Sequence, residues 1–263
     1  MMPGRATPQV ITLTTDFGRK DHYAGVLHGV ILSISPSATV VDLCHDVPPQ
    51  DVRAGAFILM AACRYFPAGT IHVAIVDPGV GTARRILAAR AGGHVFIGPD
   101  NGLLRWALDR AGGAEQIVSV EHPRYRLAEV SATFHGRDVM APAAGHLANG
   151  VPLADLGPAV VDPAGEPFPQ PERRGDLLLG TVIYVDRFGN CVTNLPAPER
   201  PVAQVGAAGQ ALPFCRAYAE AARGAPLALV GSAGLVEIAV NGGSAASELG
   251  LTVGAPVTME LSP

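Results

Sequence analysis

The chain is short of charge and of aromatic side chains. Of its 263 residues, 16% are charged and 5% are aromatic, and the formal net charge is −4. With 19 Lys and Arg against 23 Asp and Glu, no surplus of cations is present to neutralise a phosphate backbone. We therefore expect no nucleic-acid partner.

Cysteine is scarce, and its spacing excludes two kinds of site. Cys44, Cys63, Cys191 and Cys215 lie far apart and form no C-x-x-C pair, which argues against a zinc knuckle or a redox motif. The eight histidines show no H-x-x-x-H spacing. We expect reduced thiols, no metal ligands and no cofactor.

Long apolar runs are also missing. No segment approaches the roughly 18 uninterrupted apolar residues that span a membrane. Residues 1–9 contain one Arg and no apolar core of signal-peptide length. We expect a cytoplasmic protein without a membrane partner.

The first third of the chain repeats a strand-and-helix pattern at intervals of about 30 residues, as βαβ units require. Its β-type runs are Val10 to Thr14, Thr39 to Leu43 and Thr70 to Val76. Helical patterns follow the first two runs, from Tyr23 to a stop at Pro36 and over Asp51 to Tyr65. Three parallel strands are predicted, with Asp16, His45 and Asp77 beyond their carboxyl ends, where open parallel sheets bind ligands.

In the second half of the chain, a proline-rich stretch separates the strand-and-helix pattern from a series of short β-type runs. Residues 157–176 lack periodicity and are predicted to be a linker between an N-terminal domain over 1–165 and a C-terminal domain over 176–263. Short β-type runs punctuated by glycine follow the linker. The predicted fold class is α/β, with a mainly parallel central sheet in the N-terminal α/β domain and a smaller antiparallel β domain.

Two motifs offer groups for acid–base chemistry. Asp77 ends a strand and precedes a glycine turn and two guanidinium groups, Arg84 and Arg85; a structural turn with an exposed ion pair is an equal alternative. His135 lies beside Gly136, so a small molecule could reach its ring; a packed histidine beside a capping Asp138 is equally possible.

Two further segments offer groups for binding a nucleoside. Asp16 could accept two hydrogen bonds from a ribose diol. Asp21 could do the same, or it could equally stabilise the first helix by placing a negative charge at the positive end of the helix dipole. Phe188 could stack on a purine beside the polar Asp186 and Asn190. A β-turn in which Asp186 and Asn190 hydrogen-bond their own backbone explains the same residues.

Six motifs in order resemble one family, the S-adenosyl-L-methionine (SAM) hydroxide adenosyltransferases, relatives of the fluorinases and chlorinases. They span almost the whole chain: TTDFG from Thr14, VDPGVGT from Val76, GPDNGLL from Gly98, TFHGRD from Thr133, VDRFGN from Val185, and GSAGLVEIAVNGGSA from Gly231.

The resemblance implies hydrolysis of SAM to adenosine and L-methionine by activated water, in a homotrimer with active sites at subunit interfaces. It implies a catalytic triad of Asp77, Arg84 and His135, with Arg85 as the alternative arginine. Asp16 would bind the ribose diol, and further substrate contacts would fall on Asp21, Asp186, Phe188, Asn190, Ser232, Val240 and, with a weaker match, Glu237.

The same resemblance separates hydrolase from halogenase. Halogenating relatives carry Tyr or Gly where Asp77 stands and lack the histidine, because a carboxylate would repel a halide. Val80 and Gly136 also replace hydroxyl residues of the fluorinase. The alternatives are a non-catalytic adenosine- or SAM-binding module, a halide-using 5′-halo-5′-deoxyadenosine synthase and, remotely, a methyltransferase.

Overall fold

The computed structural model describes residues 9–262, so most of the segment used to argue against a signal peptide lies outside the described residues. The chain forms two compact units, Met1–Phe168 and Pro169–Pro263. Their boundary falls inside the stretch 157–176.

The N-terminal unit is built from a sheet and short helices. Its strands are β1 Val10–Thr15, β2 Thr39–Cys44, β3 Ile71–Ile75, β4 Ile86–Ala91, β5 His94–Pro99 and β6 Gln116–Ser119. Its α-helices are α1 Tyr23–Ile34, α2 Val52–Ala62, α3 Arg105–Arg110 and α4 Ala141–Ala148. A π-helical turn, Gly136–Met140, leads into α4, and 3-10 turns cover Cys63–Tyr65, Pro123–Tyr125 and Leu153–Leu156.

The sheet has the strand order β2-β1-β3-β5-β4-β6. The predicted parallel strands β1, β2 and β3 are confirmed, and β5 continues the parallel part beside β3. Strands β4 and β6 are antiparallel to their neighbours. The sheet is therefore mainly parallel, as predicted, and the carboxyl ends of its first three strands share one edge.

The helices follow their apolar patterns. Helix α1 buries Leu27 and Ile31 and ends before Pro36. Helix α2 begins after Asp51, whose carboxylate caps it by accepting a hydrogen bond of 2.9 Å from the backbone N–H of Ala54. The helix predicted to reach Tyr65 tightens into a 3-10 turn over its last three residues.

The C-terminal unit is an antiparallel β domain, as predicted. Its strands are β7 Glu172–Arg174, β8 Leu177–Val185, β9 Cys191–Pro196, β10 Val202–Ala207, β11 Gln210–Leu212, β12 Pro226–Val230, β13 Leu235–Val240 and β14 Pro256–Leu261. A 3-10 turn, Tyr218–Glu220, and the short helix α5, Ala245–Glu248, complete it.

These strands form one sheet in the order β11-β10-β14-β8-β9-β13-β12, with β7 on the side of β8. A bridge between Phe214 and Ala228 joins the segment after β11 to β12, so the two ends of the sheet nearly close into a barrel. Strands β7, β10 and β11 were not predicted, because they are short or rich in Ala and Gly.

The cysteines form no disulfides. All four, which lie within the described residues, are free thiols. Burial raises the pKa of Cys191 to about 11, so this thiol is protonated at neutral pH.

Among the helices of residues 9–262, none has the length and apolarity needed to cross a membrane.

A buried histidine should make the N-terminal unit acid-sensitive. Burial lowers the pKa of His72 to about 3, and the nearby His94 adds to the effect. Since the unfolded chain binds this proton near pH 6.5, stability should fall by up to about 1.4 kcal/mol per pH unit below that value. We expect His72→Gln to flatten this slope in urea titrations followed by the fluorescence of Trp106, the single tryptophan.

His122→Gln is the control, because His122 is exposed. An unchanged slope in His72→Gln, or a slope changed equally in the control, would contradict the assignment.

Candidate active site

A cleft of about 280 Å³ opens at the carboxyl edge of β1 and β3 in the N-terminal unit. It contains three of the predicted site residues, Asp16, Asp77 and His135. Its lining is completed by Phe17, Gln50, Ile75, Pro78, Val80, Thr133, Phe134 and Gly136. The cleft lies where the parallel sheet was predicted to bind a ligand.

Asp77 is held in place by the end of strand β3. The side-chain amide of Asn101 donates a hydrogen bond of 2.9 Å to the carbonyl of Val76, and its oxygen accepts one of 3.1 Å from the N–H of Leu103. The Asp77 side chain is only 6% exposed. A charge this buried needs a partner to offset its lost hydration.

Arg84 is that partner. Its Nε donates to Asp77 Oδ1 at 2.7 Å, and its Nη2 contacts Asp77 Oδ2, which makes a bidentate ion pair. The same Nη2 lies 2.9 Å from His135 Nδ1. The arginine side chain is 10% exposed. Arg84 therefore joins the acid and the imidazole into one chain of contacts.

Arg85 is engaged elsewhere. It bonds Asp100 and Asp162, each at 2.7 Å, on a different part of the N-terminal unit. Of the two adjacent arginines, the one that contacts Asp77 and His135 is Arg84.

His135 precedes the π-helical turn that begins at Gly136. In this turn the N–H of Ala141 bonds the carbonyl of Gly136, five residues back. A Cβ at position 136 would lie 3.0 Å from Cδ1 of Ile75, so glycine lets the turn pack tightly on β3. Asp138, by contrast, is fully buried and bonds Arg137 and the N–H of Ser131, which gives it a structural role.

The contacts of His135 fix its tautomer. Arginine can only donate hydrogen bonds, so Nδ1 of His135 accepts from Arg84 and the ring proton lies on Nε2. Burial lowers the pKa of His135, and the positive charge of Arg84 lowers it further, whereas Asp77 opposes this. The imidazole is therefore neutral at physiological pH.

Asp16 also lines this cleft. One of its oxygens accepts a hydrogen bond of 2.8 Å from the N–H of Gln50, whose φ of 65° is in the left-handed region. Asp21 is exposed before helix α1 and does not line this cleft.

A second cleft, of about 1000 Å³, lies within the C-terminal unit. All the site residues predicted for this unit line it. They are Asp186, Phe188, Asn190, Ser232, Glu237 and Val240. The structure thus gathers residues from two distant motifs onto one surface.

The VDRFGN motif forms a tight turn that presents its aromatic ring. Asp186 accepts bonds of 2.9 Å from the N–H groups of Phe188 and Asn190, as the β-turn alternative required. Phe188 is nevertheless 76% exposed, an unusual position for a large apolar ring. A Cβ on Gly189 would lie 2.0 Å from the hydroxyl of Ser244, so only glycine fits.

Glu237 is a buried acid in this second cleft. It is 7% exposed and accepts a hydrogen bond of 2.6 Å from the hydroxyl of Tyr218. Burial raises the pKa of Glu237, the Tyr218 bond opposes this, and the charge of Asp186 adds to the rise.

The chain belongs to the SAM hydroxide adenosyltransferase family. The N-terminal domain of that family matches residues 11–157, and its C-terminal domain matches residues 180–258.

Similar proteins support this membership along most of the chain. A protein of Salinispora arenicola named (R)-S-adenosyl-L-methionine hydrolase is 44% identical, over 93% of this chain and 95% of its own. One of Thermus thermophilus with the same name is 46% identical, over 93% and 97%. A fluorinase of an Actinoplanes species is 29% identical, over 98% and 99%.

A solved structure of an uncharacterised Thermotoga maritima protein shares the fold. It has a TM-score of 0.87 and 33% identity, and the match covers 95% of this chain and 99% of that one.

Sequence reasoning missed several residues that line or support the two clefts. Gln50 and Asn101 act through backbone bonds, which no side-chain pattern reveals. Phe17 and Phe134 pack edge to face at 5.7 Å in the cleft that Asp77 and His135 also line. Tyr218 lies in the segment that carried no motif. The GPDNGLL motif was a signal for Asn101, but its role as a support for Val76 needed the structure.

The charges around His135 can be tested by NMR titration of its ring protons. We expect its pKa to lie below 6.5 in the wild type and to rise in Arg84→Met, because the substitution removes a cation and leaves the Asp77 carboxylate. Arg105→Met, on helix α3, should leave the pKa unchanged, because Arg105 pairs with Asp109 and makes no contact with His135. A lower pKa in Arg84→Met would contradict the contacts described.

Proposed function

We propose that this chain hydrolyses SAM to adenosine and L-methionine by attack of water on the ribose 5′ carbon. The observation that carries the proposal is the Asp77–Arg84–His135 contact chain in a cleft at the sheet edge. Family membership and the names of full-length relatives support the same reaction.

The reaction makes a specific demand on the protein. A sulfonium leaves C5′ as a neutral thioether, so no general acid is needed. Water forms the new C5′–O bond while the C5′–S bond breaks with its electron pair moving to sulfur, and one proton is released. The barrier therefore lies in presenting and deprotonating a weak nucleophile.

The three groups then take separate roles. His135 can donate its Nε2–H to the water, and Arg84 can stabilise developing hydroxide. Asp77 accepts two hydrogen bonds from Arg84, and its remaining lone pairs can accept the proton of the water. Because Nδ1 of His135 is occupied by Arg84, Asp77 is our choice of proton acceptor.

The clefts offer sites for the rest of the substrate. We assign the ribose diol to Asp16, and the adenine and methionine ends to the C-terminal residues that include Phe188, Asn190 and Ser232, with Asp21 near the amino-acid end. We propose a homotrimer in which the N-terminal cleft of one subunit acts with the C-terminal cleft of a neighbour. The proposed chemistry requires no cofactor or metal, and we propose a cytoplasmic location without nucleic-acid or membrane partners.

Product analysis after incubation with SAM tests the proposed reaction. We expect adenosine carrying ¹⁸O from labelled water, and a loss of rate of about 10²- to 10⁴-fold in Asp77→Asn, Arg84→Lys or His135→Gln. Asp109→Asn and Arg105→Lys are matched controls on helix α3. Wild-type rates in all three site variants would refute the triad.

The products also separate the alternatives. Heat of SAM binding without formation of adenosine would indicate a binding module. A product whose yield depends on added chloride or fluoride would indicate a halogenase. Formation of S-adenosylhomocysteine would indicate a methyltransferase.

The trimer proposal can be tested by complementation. Asp77→Asn inactivates the N-terminal cleft, and Phe188→Glu places a charge at the exposed ring of the C-terminal cleft. If each site joins two subunits of a ring, random 1:1 trimers should recover about a quarter of wild-type activity. Three quarters of the trimers are mixed, and each mixed trimer has one intact site of three. No recovery from co-expressed mixed trimers would contradict the shared site.

A further inference from the structure

A group of three side chains outside the catalytic contacts has the composition of a metal site. His28 on helix α1, Asp42 on strand β2 and His45 just after that strand bring one ligand atom each within 4.8 Å of one another. We propose that this His28–Asp42–His45 cluster binds one divalent transition-metal ion of the Zn²⁺ type.

The ligand atoms converge on one carboxylate oxygen. Asp42 Oδ1 lies 2.6 Å from Nε2 of His28 and 2.9 Å from Nε2 of His45. Ligands bound tetrahedrally about 2.0 to 2.2 Å from an ion lie roughly 3.4 Å from one another. The two imidazole rings would therefore move away from the Asp42 oxygen by less than about 1 Å to admit an ion.

His45 carries the observation that favours an ion over a hydrogen-bond network. The ring is 2% exposed, and its Nε2 lies 2.9 Å from Asp42 Oδ1, at ion-pair distance but outside regular hydrogen-bond geometry. A buried polar nitrogen without a well-formed hydrogen bond is costly and calls for an explanation. A metal ion between this nitrogen and the carboxylate satisfies both.

The other ring nitrogen of His45 is already oriented. Its Nδ1 lies 2.8 Å from the hydroxyl of Thr15, at the end of strand β1. When Nδ1–H donates to this hydroxyl, the lone pair of Nε2 points at the cluster. Histidine ligands of metals are held in this way by a hydrogen bond from the second nitrogen.

The donor set selects the class of ion. Two imidazole nitrogens and one carboxylate suit Zn²⁺ and its neighbours, whereas Ca²⁺ and Mg²⁺ prefer oxygen ligands throughout. Asp42 is 43% exposed, so a water molecule can complete a four-coordinate shell from the solvent side. The site would tie helix α1 to β2 and, through Thr15, to β1.

The test uses full-length, tag-free protein stripped with a chelator and titrated with Zn²⁺ against a chromophoric chelator. We expect one ion per chain and an affinity at least about tenfold weaker in His28→Gln and in Asp42→Asn. Both positions are partly exposed, so these variants should fold; far-ultraviolet circular dichroism checks this. The control is His122→Gln, which changes an exposed histidine outside the cluster.

Co²⁺ provides a second readout that a structural role would not give. Its visible absorption should report four-coordinate nitrogen and oxygen ligation in the wild type and should be lost in Asp42→Asn. Absence of a bound ion, or equal affinity in wild type and His28→Gln, would overturn the proposal. Adenosine release by the stripped protein is measured separately, so the metal site and the proposed hydrolysis succeed or fail independently.

Discussion

The bidentate ion pair between Arg84 and Asp77 is the interaction on which the N-terminal cleft depends. Both side chains are almost buried, so each charge needs the other to offset its lost hydration. The arginine also reaches His135, and it thereby connects the end of β3, the glycine turn after it and the loop before the π-helical turn. One guanidinium thus sets the relative positions of three loops.

The parallel sheet explains why these loops meet. Neighbouring strands β2, β1 and β3 run the same way, so their carboxyl ends bring Asp16, His45 and Asp77 to one edge. Thr15 is the last residue of β1, and its hydroxyl contacts His45 while Asp16 turns into the cleft. Asp16 and Asp77 of the candidate site and Asp42 and His45 of the proposed metal cluster are therefore arranged by the same three strands.

Sequence reasoning recovered what depends on local periodicity and on chain order. The spacing of apolar residues located β1, α1, β2 and β3 to within a few residues. Contacts between distant segments of the chain could not be predicted in this way. Arg84 and Arg85 are adjacent and chemically identical, and only the fold turns one toward Asp77 and the other toward Asp100 and Asp162.

The same limit applies to ligand sets assembled across elements. The absence of an H-x-x-x-H spacing suggested that metal ligands were missing, but that rule covers ligands on one helix. His28 comes from a helix, and Asp42 and His45 come from a strand and its end, so packing of α1 against the sheet creates the cluster. Backbone supports such as Asn101 and Gln50 are invisible to sequence for a related reason, since their partners are main-chain atoms.

Electrostatics explains why a carboxylate in this cleft favours water over a halide. Only interactions that strengthen on the way to the transition state accelerate a reaction. As water attacks a sulfonium-bearing carbon, its protons become more acidic, so a carboxylate that accepts one of them interacts more strongly as the C–O bond forms. A halide enters the same position with a full negative charge, and the carboxylate opposes its entry before any bond begins to form. In the proposed reaction Arg84 offsets part of this repulsion, and the remaining lone pairs of Asp77 are available to a nucleophile that carries protons.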